Sequence, residues 1–597
     1  MRAVKFTVDV DVQVPVADGT HLATNLWRPE VDEGTAFPTL LVRLPYGKDN
    51  VSLYGGAAFP NIFTLVEAGY AVAVQDCRGT YRSEGIFTPH LDDASDGADT
   101  VRWLTAQPWC NGAVGSYGAS YVGFDQWQTA STGVEGLKAI APAQSTADFY
   151  RAPWYSPGGA MSLECGFSWA ALMSVAHADR ELAAGRGTAE DLTAAAELMT
   201  RIPAALETTP LVDHPVIRKQ LPWFITDVCG HPSRDKYWRD LAAIERVEEI
   251  STPALILGGW YDLFIGETVN AYTEMRRRGG SQEAREGQLL VIGPWAHSPG
   301  ADLGAFPDRS FGAGASMQMA EVTQSHVRFF DRWLKGSETA LDDQAPVRIF
   351  VMGRDEWRSE QEWPLPDTRY TDFYLGGGGR ANTSGGDGVL SQEAPEASAQ
   401  ETYLYDPRRP VPTTGGNIIA LSPEVYAGPA DQSQVEERED VLCFTTPVLE
   451  HEVEATGHVS LTLFVSSSAV DTDFTGKLVD VHPDGRAINL CEGIQRARYR
   501  ESLAEPEFMR PGEIYELTLD LCVTSNVFLP GHRIRLEVSS SNFPRYDRNS
   551  NSGGTIAEER LEDMVPALNH IHHGPSHPSR LTLPLIERGT RRAGGSS

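Results

Sequence analysis

Along the first 145 residues, two apolar patterns take turns. Val4–Val14 and His21–Trp27 alternate apolar and polar positions around a turn at Ala17–Gly19, which predicts an antiparallel hairpin. Thr39–Leu44, Ala71–Val74, Ala113–Tyr117 and Leu137–Ala141 are short apolar runs that read as buried strands. Between them Phe63–Ala68, Asp96–Ala106 and Val122–Thr132 read as helices. The second places its acidic residues early, where the helix dipole favours them. Strands alternating with helices predict a mainly parallel, doubly wound α/β sheet.

The alternation stops after Ala143. To about Arg246 the chain is helix-like and rich in Trp, Met and Ala, with strong helix formers throughout His177–Arg201. The βα pattern returns with Pro253–Leu257, Leu289–Ile292, a helix around Ser325–Leu334 and a further strand at Val347–Val351. Beyond Pro366 the helical period fades. His458–Val465, Gly476–Val481, Ile514–Cys522 and His532–Val538 alternate as short strands, and Pro483-Asp484-Gly485 supplies turn chemistry. The expected organisation is therefore a catalytic domain from residues 1–145 and 247–366, a helical insertion at 146–246, and a jelly-roll β domain at 367–590.

Composition narrows the function classes. The 597 residues are 41% hydrophobic and 22% charged, which suits a folded chain of several domains. Fifty Lys and Arg against 81 Asp and Glu leave a net charge of −31. Such a surface repels phosphate backbones and anionic lipids, so neither nucleic acid nor a membrane is expected as partner. No apolar run approaches a membrane span, and the first residues lack the core of a signal peptide. Seven dispersed cysteines without a CxxC pair suit a reducing cytoplasm, most of them as packing residues.

The strongest chemical signal is VGSYGASYVG, residues 114–123. Gly118-Ala119-Ser120 sits between a predicted strand and a predicted helix, as a nucleophile elbow requires. The second glycine of the G-x-S-x-G pattern arrives one residue late, at Gly123. A serine nucleophile needs a base and the base an orienting acid. Downstream, LILGGWYDLF places Asp262 just past one apolar run, and LLVIGPWAHS places His297 just past the next. Ser120, Asp262, His297 is the chain order of α/β-hydrolase triads, and both partners stand at predicted strand ends. His90, with Asp92 and Asp93, precedes the serine and is in the wrong order to be the base. The N–H of Tyr121 is the first expected oxyanion donor, and the Tyr46 hydroxyl in VRLPYGKDN can be the second. His570, His572, His573 and His577 fit no standard zinc spacing, and the triad needs neither metal nor cofactor.

LPYGK, QDCRGTYRSEG, RAPWYSPGGA, GGWYDLF and GPWAHS, with LFVSSSAVDTDFTGKLVDVHPDGRAI and TSNVFLPGHRIRLEVSSSNFPRYDRNSN in the β domain, resemble segments of the CocE/NonD family of α/β-hydrolases over nearly the whole chain. This family lies in the X-Pro dipeptidyl peptidase superfamily. The resemblance implies an α/β-hydrolase domain with a helical cap and a C-terminal jelly roll. It implies serine carboxylesterase activity on aryl, benzoyl or cocaine-like esters, with Ser120, Asp262 and His297 as triad and Tyr46 and Tyr121 as oxyanion donors. It also implies an acyl pocket of Trp154, Trp169, Leu172 and Phe264. The sequence departs from the family in the loop Asn50–Asn61, at Thr414 where a pocket leucine is expected, and in an inserted stretch around Ser281–Gly287. An α-amino-acid ester hydrolase, an X-Pro dipeptidyl peptidase and an inactive interaction protein on the same scaffold remain alternatives. The expected partner is a small-molecule ester, and a homodimer stays open.

Overall fold

The computed structural model describes residues 5–30, 34–50, 60–298, 300–420 and 426–588. Ten strands build the first sheet: β1 (Phe6–Pro15), β2 (His21–Pro29), β3 (Phe37–Leu44), β4 (Ala71–Asp76), β5 (Cys110–Ala119), β6 (Leu137–Ala143), β7 (Leu255–Tyr261), β8 (Leu289–Ala296), β9 (Val347–Val351) and β10 (Glu356–Glu360). Their spatial order is β1-β2-β4-β3-β5-β6-β7-β8-β9-β10. Pairing is parallel from β4 through to β9, while β1, β2 and β10 join antiparallel. Every residue of β3, β4, β7 and β8 is buried, as expected for strands covered on both faces. The winding direction reverses between β3 and β5, and the carboxyl ends flanking such a reversal open a crevice.

Helices α1 (Ile62–Glu67), α2 (Asp93–Thr105) and α3 (Tyr121–Ala130) connect the early strands. Between β6 and β7 the chain leaves the sheet for the helical cap, whose longest elements are α4 (Leu163–Ala183) and α5 (Ala189–Met199). The helix formers of His177–Arg201 divide into these two helices. Gly185 adopts φ +72°, and Thr188 caps α5 by accepting from the Asp191 N–H at 3.2 Å.

The C-terminal domain is an eleven-stranded, mainly antiparallel arrangement of jelly-roll type. The four strands expected there run Val453–Ser467, Asp473–Val481, Tyr515–Phe528 and Arg533–Ser539. Others were invisible to hydrophobic alternation. Ala487–Arg496 contains Asn, Glu, Gln and Arg, yet all ten residues are buried. Its charges are matched inside: Arg496 pairs with Asp473 at 2.9 Å, and Glu492 with Arg545. The domain is stitched to the sheet by backbone bonds from Met352 N–H to Ser525 C=O and from Val527 N–H to Met352 C=O, at 3.0 and 2.8 Å. All seven cysteines are unpaired, and six are buried. Among the described residues no helix is long and apolar enough to cross a membrane.

Candidate active site

Ser120 stands at the turn from β5 into α3, with φ 62° and ψ −127°. That conformation is strained for a residue with a side chain, and its surroundings hold it in place. Its N–H donates to Ala143 C=O and Gln144 C=O at 3.0 and 3.2 Å. Its C=O accepts from the N–H groups of Gly123 and Phe124 and, at 2.9 Å, from the Ser145 hydroxyl. Gly118 contributes φ +134°, in the region that favours glycine. Gly123 is required for a different reason, since a Cβ there would lie 2.5 Å from Ser145 Cβ. The displaced second glycine of the motif thus allows the close approach of the loop after β6.

Asp262 and His297 follow β7 and β8, and their side chains meet above Ser120. His297 Nε2 lies 3.0 Å from Ser120 Oγ, and His297 Nδ1 lies 2.8 Å from Asp262 Oδ2. Asp262 is fully buried, and its Oδ1 accepts the Phe264 N–H at 2.7 Å. The carboxylate is thereby fixed at both oxygens. With Nδ1–H given to Asp262, Nε2 is the free acceptor facing the serine hydroxyl. Asn417, from the β domain, donates to Asp262 C=O at 2.8 Å and braces the backbone of the acid. No sequence pattern pointed to Asn417.

The Tyr46 side chain reaches the same place from the loop after β3. Its oxygen accepts the Trp169 indole N–H at 3.0 Å, which leaves its own proton free for a second partner. Ser120 lies within interaction range, and burial raises the phenol pKa, so the group is a donor at neutral pH. The Tyr121 N–H opens α3 and has no acceptor within the helix. The Tyr121 hydroxyl points the other way, donating to Asp93 at 2.8 Å and accepting the His90 N–H at 3.1 Å.

Ser120, His297 and Tyr46 open into a small cavity walled mainly by apolar and aromatic side chains. Trp154, Trp169 and Phe264 line it, together with Phe149, His90 and Ile419. Trp169 lies parallel to Tyr121 with centroids 6.0 Å apart, Trp154 meets Trp169 edge-on at 5.4 Å, and Phe264 meets His297 edge-on at 5.2 Å.

Two expectations need correction. Leu172 does not line this cavity: it lies on α4 one turn beyond Trp169 and is 37% exposed. Thr414 does not line it either. The aliphatic wall from the β domain is Ile419, because the glycine-bearing loop Thr413–Asn417 carries the chain onward before it reaches the site. His90 is not a rival base and makes no hydrogen bond to Ser120, yet it belongs to the cavity wall. Of the departures in the loop Asn50–Asn61, residues 51–59 lie outside the described residues. Ser281–Gly287 forms a short helix, Gln282–Glu286, packed on the helix Ile265–Arg278.

Elsewhere, His570, His572 and His573 each have a partner, in Thr402, Ser466 and Glu401. Asp480, His482 and His532 bring possible metal-ligand atoms within 4.8 Å of one another, with the Asp480–His532 pair already hydrogen-bonded at 2.8 Å. A larger cavity at the junction of cap, sheet and β domain shares Pro153, Cys165 and Leu263 with the site's wall.

Residues 18–299 match the family model described as X-Pro dipeptidyl-peptidase (S15 family). Residues 339–582 match the model of the X-Pro dipeptidyl-peptidase C-terminal non-catalytic domain. The chain is 50% identical to the cocaine esterase of Rhodococcus sp. (strain MB1 Bresler) over 583 residues, 98% of this chain and 99% of that one. Among solved structures, an aminopeptidase from a marine sediment Thaumarchaeota archaeon is 25% identical with TM-score 0.79, covering 98% of this chain and 97% of its own. An α-amino acid ester hydrolase matches with the same identity, TM-score and coverage. Two family models that together span most of the chain, and half-identity along its whole length, establish that it belongs to the X-Pro dipeptidyl-peptidase (S15) family of serine hydrolases and esterases.

Proposed function

We propose that the chain hydrolyses carboxylic esters of aromatic acids, benzoyl esters such as cocaine among them, through an acyl-enzyme on Ser120. The observation that carries this reading is the hydrogen-bonded chain Asp262–His297–Ser120 opening into an aromatic cavity with no carboxylate in its wall among the described residues.

His297 Nε2 removes the Ser120 proton as Oγ attacks the ester carbonyl, and Asp262 holds and stabilises the imidazolium. Negative charge develops on the carbonyl oxygen, which the Tyr121 N–H and the Tyr46 hydroxyl receive. His297 then protonates the leaving alcohol. Water, deprotonated by the same imidazole, releases the acid and restores the serine. The acyl group lies among Trp154, Trp169 and Phe264, whose flat faces exclude water from the forming oxyanion.

The lining also separates this reading from its relatives' activities. An α-amino-acid ester or an X-Pro dipeptide presents an ammonium group beside the reacting carbonyl. Burying that charge requires an anionic partner, and none lines this cavity among the described residues. The test is a panel of benzoyl, acetyl and aminoacyl esters and X-Pro amides. Benzoyl esters should exceed aminoacyl esters and X-Pro amides in kcat/KM by more than about 100-fold, the scale of a charge left unpaired. Faster cleavage of either ammonium-bearing class would overturn the reading. The unpaired cysteines favour a cytoplasmic setting. Homodimerisation belongs to the same reading and is checked by light scattering.

A further inference from the structure

His90 lies in the cavity wall and is buried among six aromatic rings: Tyr121, Phe124, Phe149, Trp154, Trp169 and Trp223, with centroids between 3.6 and 6.5 Å away. Neither ring nitrogen has a hydrogen-bond partner among the described residues. The nearest charged group, Asp93, is 3.9 Å from Nδ1, too far for a hydrogen bond, and its near oxygen already accepts from Tyr121. The Trp154 indole N–H, in the same wall, is also buried without an acceptor. Three polar atoms are thus left unmatched around one small apolar space.

Buried polar groups in folded proteins are almost always matched, and exceptions concentrate at functional sites. A histidine retained only to fill space would be better replaced by phenylalanine. This one is instead held in a demanding backbone conformation, φ +74°, with its N–H fixed on the Tyr121 hydroxyl. Burial pushes its pKa well below the ordinary value. The ring is therefore neutral, with one N–H to give and one nitrogen to receive.

We propose that His90 and the Trp154 N–H form a polar subsite for the acyl group, selecting aromatic acids that carry a hydrogen-bonding substituent on the ring, such as a phenolic hydroxyl. A plain benzoyl group leaves these atoms unmatched. A hydroxybenzoyl group receives the Trp154 N–H or a His90 N–H on its oxygen and gives its own proton to the free imidazole nitrogen. This rests on the aromatic-ester reading above and names the class of acid within it.

The test uses methyl esters of 3- and 4-hydroxybenzoic acid against their 3- and 4-methyl counterparts, which match them in size. Dividing the hydroxyl-to-methyl ratio of kcat/KM in the wild type by that in a variant cancels intrinsic reactivity. At one ring position the wild type should favour hydroxyl by about tenfold, the scale of one net hydrogen bond. His90→Phe should bring that ratio to about one or below, and Trp154→Phe should reduce it in part. Titration of reactive Ser120 counts folded sites, and His90→Asn stands in if the phenylalanine variant does not fold. Equal or greater activity on the methyl esters at both positions, or a ratio unmoved by all the variants, would overturn the proposal. Failure of the underlying reading looks different, since methyl acetate would then outrun every aryl ester.

Discussion

Tyr46→Phe removes a single oxygen and tests the least expected part of the mechanism. That oxygen accepts the Trp169 N–H at 3.0 Å and keeps its own proton available beside Ser120. Two effects of different size follow. If the hydroxyl stabilises the oxyanion, its loss should lower kcat by roughly 10²–10³, or about 2.7–4 kcal/mol in the barrier. KM for a neutral ester should change far less, because the ground-state carbonyl carries little charge. The Trp169 N–H is also left unmatched, which should lower folding stability by about 1–3 kcal/mol.

The assay is steady-state hydrolysis of a benzoyl ester, with sites counted by titration of Ser120, alongside urea unfolding. Because burial raises the Tyr46 pKa, the wild-type rate should show no loss of a proton donor as pH approaches 10. A kcat within threefold of wild type, with stability lowered as expected, would reduce Tyr46 to a packing partner of Trp169. A loss confined to KM would point to ground-state binding.

Other substitutions probe the supports. Asp262→Asn should lower kcat by about 10⁴ with the fold intact, because the amide favours the wrong imidazole tautomer; a loss below tenfold, measured on the same ester, contradicts the role. Gly123→Ala forces a methyl within 2.5 Å of Ser145 Cβ and should cost roughly 1–3 kcal/mol in urea unfolding, with kcat reduced as the elbow shifts. Unchanged stability would mean that the loop after β6 yields freely. Burial raises Glu164 to about 7 from its ordinary 4.5, so the native state holds this proton more tightly than the unfolded chain does. Its contribution to stability is fully present below 4.5 and is lost as pH rises through 7. Relative to wild type, Glu164→Gln should therefore gain in Tm between pH 5 and pH 8, and a flat or falling difference would refute the assignment.

The hydrogen-bonded arrangement of the proposed triad was legible in the sequence because each member follows an apolar run, and a strand end is a position along the chain. Ser120, Asp262 and His297 required only chain order and strand count. The cavity wall was not legible in that way. Trp154 and Trp169 come from the cap, Phe149 from the segment leading into it, and Ile419 from a β-domain loop, so only tertiary packing brings them together. Likeness to a family pointed to two tryptophans that line the cavity, but it also assigned a pocket position to Thr414, several residues from Ile419. Chain order excluded His90 as a base, yet it says nothing about which side chains form a wall. In the β domain, strands such as Ala487–Arg496 escaped notice because their buried charges are matched across the sheet, and alternation detects only apolar burial.

The β domain supplies no reacting atom, but three hydrogen bonds from one of its loops reach the site. Asn417 donates to Asp262 C=O at 2.8 Å, the Ser298 hydroxyl donates to Ile419 C=O at 3.0 Å, and the Ile419 N–H donates to Glu164 at 3.2 Å. The first acts on the acid that orients the base, and the second on the residue next to His297. The third ties the same loop to α4, which carries Trp169. A single segment therefore couples the geometry of the charge relay to the width of the acyl cavity. Displacing it by even 1 Å would loosen Asp262 and withdraw Ile419 together, and misplacement of that size can cost about 100-fold in rate. The triad stands on the sheet and the acyl cavity draws on sheet, cap and β domain together, and the two share this fastening. Substitutions at residues 417–419 should accordingly disturb kcat and acyl preference together, whereas substitutions at Trp154 or His90 should act mainly on preference.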